Sequence, residues 1–401
     1  MRLQLVTGES VPDFLDLPWT RPLEEWESER MVDVVRGISR HVVRFVRYDG
    51  AVFALKELNL RLARREFALL RSLAERSVPV VEATGIVDDR GQGLDAILVT
   101  RHLDFSLPYR TLFRTTWDPN LREHLLDALA QLLVHLHLAG FFWGDCSLSN
   151  TLFRRDAGAL SAYLVDAETG ELHPTLSEGQ RTHDLLVARE NLTGELFDLR
   201  GAGELPEVLD PIETGAAVLT RYARLWDELT REELIGADER HRIQERLARL
   251  HELGFDTEEL ELVADGDAYR LRVSPRVVES GYHRRRLLTL TGLDAQENQA
   301  RRLLDDLRGF REEVERTAGN RLPDPVVSYR WLAEVYEPAL ASVPLDLRGK
   351  LEPPELYHQL LEHRWFLSEQ LGRCATIDEA VASYTKDVLF DAPSERVVAD
   401  P

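Results

Sequence analysis

Residues 141–168, FFWGDCSLSNTLFRRDAGALSAYLVDAE, constrain this chain more than any other stretch. Asp145 is followed five residues later by Asn150, and sixteen residues after that by Asp166. The first two fall in a loop between a helical segment (121–140) and a short apolar run, and the third ends a second apolar run, AYLVD. This pattern predicts strand-loop-strand geometry. Taken singly, each residue has ordinary structural work available: Asp145 can cap a turn, Asn150 can sit in one, and Asp166 can end a strand. Taken together they are a set that phosphoryl transfer uses. That reaction is catalysed mainly by positioning and charge neutralisation, through an Asp that orients the attacking hydroxyl and oxygen donors that hold divalent cations.

Trp143-Gly144-Asp145 followed by Asn150 resembles the catalytic loop of the protein-kinase-like superfamily. The likeness is to its branch of small-molecule kinases, the lipopolysaccharide kinases and aminoglycoside-phosphotransferase-type enzymes, whose loop reads Gly-Asp, three or four variable residues, then Asn. The resemblance implies an α+β, bilobal protein-kinase-like fold. It also implies ATP and Mg²⁺, with Mn²⁺ as a substitute, Asp145 as the catalytic base, and Asn150 and Asp166 as metal ligands. Two departures matter. The family's Asp-Phe-Gly becomes Asp166-Ala167-Glu168, with no Ala-Pro-Glu after it, and Ser147 stands where protein kinases carry a lysine. The substrate expected is therefore a small molecule, sugar or glycolipid head group rather than a protein hydroxyl. Glu168 is either an extra metal ligand or the partner of an arginine. Asp184, near the start of a predicted helix (181–199), suits the buried Asp that braces the catalytic loop in kinases.

Upstream, residues 34–58 predict three strands, with Asp49-Gly50 as a hairpin turn. Lys56 lies in VFALKEL, where alternation puts Ala54 and Lys56 on one face and Phe53 and Leu55 on the other. A lysine on such a strand needs a partner. Glu66, on the helix predicted over 58–77, is the candidate that the resemblance implies, to hold Lys56 against the nucleotide phosphates, and Glu57 competes with it because only ten residues separate Lys56 from Glu66. In the family the first hairpin covers those phosphates, which makes Gly37 and Ser39 nucleotide-contact candidates. Two further strands are predicted over 78–103, giving a five-stranded lobe, and residues 15–33 read as a Pro-broken segment before a short helix. The connector that follows, Val99, Thr100, Arg101, His102 and Leu103, corresponds to the backbone that holds adenine.

The chain has 401 residues and 44% hydrophobic content, enough for two or three packed units. The expected organisation is an N-lobe over 1–103, a C-lobe over 104–235 and a mostly helical accessory domain over 236–401, and the full chain resembles a bacterial family near the lipopolysaccharide kinases. A net charge of −21 argues against nucleic acid and anionic membranes as partners. Two cysteines, Cys146 and Cys374, cannot make a disulfide framework. The N-terminus lacks a secretion signal, and no run is long and apolar enough to span a bilayer, so a cytoplasmic protein is expected. The basic run His283-Arg284-Arg285-Arg286 is expected to pair within the chain rather than to bind an anion. Two other classes compete with the phosphotransferase reading: a nucleotide-binding pseudokinase whose C-terminal helices dock a protein partner, and an AMP transferase.

Overall fold

The computed structural model describes residues 1–6, 12–34, 40–91, 93–114, 119–236, 239, 241–253, 255–265, 268–276, 281–392 and 394–396. Its first lobe is built on β1 (Arg2–Leu5), β2 (Met31–Val32), β3 (Val42–Tyr48), β4 (Ala51–Leu58), α1 (Leu60–Glu75), β5 (Glu82–Asp88) and β6 (Ala96–Arg101). The strands form one antiparallel sheet in the order β1-β5-β6-β4-β3-β2. The β3–β4 turn is the predicted one. Asp49 (φ 48°) and Gly50 (φ 80°) both take left-handed backbone, the combination that matches the twist of paired strands.

Three expectations for this lobe change. The sheet has six strands rather than five, because residues 2–5 pair with β5. Met31–Val32, where no strand was expected, pairs with β3; positions 35–39 of the strand expected over 34–39 lie outside the described residues. The helix predicted around 23–33 is one 3₁₀ turn, Leu23–Glu25. The reason lies in residues 14–26, to which no sequence pattern assigns a role. Phe14, Leu17, Trp19, Leu23 and Trp26 are buried against Val46, Phe53, Leu55, Val87, Ile97 and Val99, so this segment follows the outer face of the sheet instead of coiling. Buried Arg90 fastens it, donating to the carbonyl oxygen of Trp19 at 2.8 Å and pairing with Glu57.

The second lobe contains β7 (Ser106–Pro108), α2 (Tyr109–Arg114), α3 (Pro119–Leu138), β8 (Phe141–Phe142), β9 (Thr151–Asp156), β10 (Ala159–Leu164), β11 (Glu171–Leu172), α4 (Glu178–Gly201) and α5 (Pro211–Thr230). Gly140 ends the α3 segment with φ 79°, and a Cβ there would lie 2.1 Å from the carbonyl oxygen of His173, so no other residue fits. The small sheets β10-β9-β7 and β11-β8 flank the catalytic-loop stretch.

Next come β12 (Glu233–Gly236), α6 (His241–Glu252), β13 (Asp256–Asp265) and β14 (Ala268–Arg276), in the order β12-β14-β13. Ile235, Leu250, Phe255 and Leu271 are buried in the same apolar core as α3 and α5, so the core runs past residue 235, where the sequence suggested a division. A separate core begins at Leu287. It and a second, smaller cluster around Leu347 and Tyr384 are made by α7 (Tyr282–Thr291), α8 (Glu297–Ala318), α9 (Asp324–Trp331), α10 (Glu337–Ala341), α11 (Leu345–Arg348), α12 (Pro353–Leu371) and α13 (Ile377–Tyr384). Polar contacts join these helices to the β9–β10 turn. Asp156 accepts the backbone N–H of Gln299 at 2.8 Å, Glu355 accepts that of Ala157 at 2.9 Å, and Arg154 and Arg155 pair with Glu352 and Glu395. The basic run is satisfied inside the chain, with Arg284 on Asp294 at 2.6 Å and His283 on Glu297 at 2.8 Å. Among the described residues no helix is long and apolar enough to cross a membrane.

Candidate active site

One helix face holds the catalytic-loop stretch in place. Asp184, fully buried on α4, accepts the backbone N–H of Trp143 at 2.8 Å and of Gly144 at 2.7 Å, and meets His137 Nε2 at 3.1 Å. Two turns further along, Asn191 Nδ2 donates to Asp145 Oδ1 at 3.2 Å and to the carbonyl oxygen of Cys146 at 3.1 Å. Glu195 accepts the N–H groups of Leu148 (2.7 Å) and Ser149 (3.0 Å). Positions 184, 191 and 195 share a helix face, so the loop is clamped at three points. Asn150 Nδ2 closes it with a 3.2 Å bond to the carbonyl oxygen of Asp145. The indole N–H of Trp143 reaches the Asp166 carbonyl oxygen at 3.1 Å, tying this loop to the next.

Across the cleft, Lys56 is the centre of a charge cluster. Its Nζ lies 2.7 Å from Asp166 Oδ2, 3.0 Å from Glu66 Oε2 and 3.1 Å from Glu168 Oε2. The short spacing that favoured Glu57 is resolved at Asn59. Asn59 caps α1 directly after β4, accepting from Leu62 N at 3.0 Å, so Glu66 arrives in the second turn of the helix and faces back onto the strand. Glu57 is engaged by Arg90 instead. Burial disfavours the Lys56 ammonium, but the charges of Glu66 and Asp166 outweigh it and raise the pKa above the usual lysine range. Glu66 is pushed up to about 8, first by burial and then by the charge of Asp166, with Lys56 opposing. Burial lifts the Cys146 thiol well above its usual range, so this neighbour of Asp145 is a poor nucleophile.

These groups line one cleft of about 330 Å³. It brings together Lys56, Glu66, Thr100, Arg101, His102, Asp145, Asn150, Asp166 and Glu168 from the sequence-derived set. Val99 points the other way into the outer apolar cluster, because alternate residues of β6 face opposite sides of the sheet. Leu103 lines a different cavity, on the far side of the connector. Gly37 and Ser39 lie outside the described residues. Glu168 pairs with Lys56 and with His41 Nε2 (2.8 Å) rather than with an arginine. Sequence reasoning passed over Arg40, His41, Asn191 and Glu195. The last two were signalled by their seven- and eleven-residue offsets from Asp184 on one predicted helix, whereas Arg40 and His41 carry no local pattern. Carboxylate oxygens of Glu66, Asp166 and Glu168 lie within 4.8 Å of one another, a set able to hold a hard cation.

Residues 52–192 match the lipopolysaccharide kinase (Kdo/WaaP) family, a stretch that holds Lys56, Glu66, Asp145, Asn150, Asp166 and Asp184. The match is to a family of kinases and takes in most of the residues that build the cleft. Residues 224–389 match a second family, a domain of unknown function (DUF4032), which takes in both the β12–β14 sheet and the helices beyond it. A curated relative, the dual specificity testis-specific protein kinase 1 of Rattus norvegicus, is 38% identical over 85 residues, 20% of this chain and 14% of its own length. The chain thus spans a small part of that relative. A solved structure, WaaP in complex with acyl carrier protein, has 22% identity over 56% of this chain and 100% of its own, with a TM-score of 0.35.

Proposed function

We propose that this chain is a phosphotransferase that binds ATP with Mg²⁺ in the cleft between the lobes and transfers the γ-phosphoryl group to a hydroxyl of a sugar or glycolipid head group. The observation that carries the reading is the convergence of three carboxylates on the Lys56 ammonium, with Asp145 lining the same cleft. One positive charge among three negative ones leaves a surplus that a divalent cation neutralises, and oxygen ligands suit Mg²⁺. Asp166 and Asn150 would hold the metal, with Glu168 as a third oxygen donor. When bound, Mg²⁺ neutralises charge on the phosphate oxygens.

Lys56 then has two neighbours of opposite use: Glu66 fixes its position from behind, and its ammonium is directed to the α- and β-phosphates. Asp145 accepts the hydrogen bond of the acceptor hydroxyl. As the new P–O bond forms to that hydroxyl oxygen, the bond to the ADP oxygen breaks and the acceptor proton passes to Asp145. Asn191, bonded to the other carboxylate oxygen, keeps Asp145 aimed. Thr100, Arg101 and His102 form the wall assigned to the adenine edge. The residues from 282 onward are a separate packing unit bolted to β9 and β10, and we assign them to a helical accessory domain. None of its described residues lines the cleft.

Two measurements test this reading. Mg-ATP should raise the melting temperature of the wild type and fail to raise that of Asp166→Asn, because a ligand bound only by the native state stabilises it. With ATP labelled at the γ position in one reaction and the α position in another, lipopolysaccharide-derived sugars should acquire only the γ label. Acquisition of the α label would make the chain an AMP transferase, and no thermal response to ATP with either Mg²⁺ or Mn²⁺ would remove the nucleotide altogether.

A further inference from the structure

Arg40 stands at the entrance to β3, and its Nη2 lies 3.3 Å from Asp145 Oδ2, joining the first lobe to the catalytic loop across 105 residues of chain. Its neighbour His41 makes the parallel contact to Glu168. The start of β3 therefore crosses the mouth of the cleft and touches both carboxylate loops. Arg40 lies outside the stretch matched by the kinase family.

We propose that Arg40 is a phosphoryl-contact residue that exchanges partners during the reaction, leaving Asp145 for the terminal phosphoryl group of ATP and so freeing the carboxylate for the acceptor hydroxyl. The inference rests on the nucleotide reading above. Asp145 offers two oxygens. Oδ1 is held by Asn191, which is itself anchored on α4 and on the Cys146 carbonyl oxygen, so it is fixed within the lobe. Among the described residues Oδ2 is held by Arg40 alone, whose side chain is 74% exposed. An ion pair of that exposure contributes little to stability, so it is the bond that yields when a hydroxyl approaches. A guanidinium released at this point needs another anion, and a terminal phosphoryl group offers two or three oxygens in the fork geometry that arginine matches.

No other lysine or arginine is placed to do this among the described residues lining the cleft. Lys56 is assigned above to the α- and β-phosphates, and Arg101 lies at the connector end of β6 beside Glu82 at 3.8 Å. The acids outnumber them: Glu66, Asp145, Asp166, Glu168 and Glu195 all line the cleft. A triphosphate entering this surplus of negative charge meets strong repulsion at its γ end unless a cation accompanies that end. Arg40 is the cation already standing there.

The test is calorimetric titration of the full chain with Mg-ATP and with Mg-ADP, on the wild type, Arg40→Ala and Arg40→Lys, each first checked for an unchanged urea midpoint. Arg40→Ala should weaken ATP binding about tenfold and ADP binding less than about twofold, since the lost charge-assisted bonds are to the γ-phosphoryl alone. Arg40→Lys should retain part of the ATP preference, as a point charge without the fork. An Arg40→Ala protein that keeps the wild-type ratio of ATP to ADP affinity overturns the role of Arg40 and leaves the nucleotide site standing. A wild type that binds neither nucleotide overturns both.

Discussion

Gly144 donates its backbone N–H to the carboxylate of Asp184 at 2.7 Å, across forty residues of chain. The adjacent N–H of Trp143 goes to the same carboxylate, as does His137 from the other side. Asp184 is thus the buried post to which the Trp143–Asn150 loop is tied. Asp184→Ala leaves the N–H groups of Trp143 and Gly144 and the Nε2 of His137 without this partner, while His137 Nδ1 keeps Tyr222 Oη at 2.8 Å; each group left unsatisfied is worth roughly 1–3 kcal/mol. We expect a loss of about 3 kcal/mol or more in urea unfolding at pH 7. A loss below about 1 kcal/mol, within the range of an ordinary surface change, means that the loop holds its shape through Asn191 and Glu195 alone.

Removal of the Lys56 ammonium unmasks the cluster around it. Lys56→Met leaves Glu66, Asp166 and Glu168 facing one another without the ammonium, with the His41 contact remaining on Glu168. Millimolar Mg²⁺ without nucleotide should then raise the melting temperature of the variant more than that of the wild type, by linkage to a tighter cation site. Mg-ATP should add little further. Equal responses to Mg²⁺ in the two proteins indicate that the cation does not share space with the ammonium, and the metal assignment moves away from this cluster.

Asp145→Asn keeps the shape of the residue and removes its capacity to accept a proton. Turnover should drop roughly 10²–10⁴-fold, the usual worth of a positioned general base, while ATP affinity changes less than about tenfold. Single-turnover transfer of the γ label, run beside calorimetry on the same preparation, separates the two effects. Transfer at the wild-type rate would relegate the Trp143–Asn150 loop to scaffolding.

The site was legible in the sequence wherever function fixes both residue type and local spacing. Asp145, Asn150 and Asp166 are written within 22 residues of one another, and Asp184 carried the signature of a polar residue at the start of an apolar-faced helix. Lys56 and Glu66 were legible as a pair because strand alternation and helix phase each point a side chain one way. Long-range arrangement was not. Residues 14–26 carry aromatic side chains without a helical or strand period, since their partner is the flat outer face of a sheet, and only that face dictates their path. Arg40 and His41 lie at the start of a strand whose alternation says which face they take but not that a loop 105 residues away would supply the anion. The division of cores was likewise hidden, because β12 and β14 complete a core begun at Leu58 through contacts that no local composition shift announces.

Asp156 links the catalytic lobe to the C-terminal helices, and it carries a pH signature. It is wholly buried at the end of β9, where it accepts from Gln299 N (2.8 Å), Asn298 Nδ2 (3.0 Å) and Ser161 Oγ (3.2 Å). Those donors favour the carboxylate, but burial outweighs them and the charge of Glu355 adds to it, so the pKa is pushed up to about 6 from an ordinary 3.8. Between roughly pH 4 and pH 6 the folded protein holds a proton that the unfolded chain has released. Stability from this group is therefore present in full below about pH 4 and lost as pH rises through about 6. A rise of that size corresponds to about 3 kcal/mol, and no solvent screening reduces it at a fully buried site. Asp156→Asn abolishes the titration. Urea unfolding of both proteins at pH 4, 5, 6 and 7 should show the wild type losing up to about 3 kcal/mol relative to the Asn variant across that window. A wild type that instead gains on the variant as pH rises would mean that the N–H donors at the start of α8 prevail over burial and that Asp156 is an anionic cap of that helix.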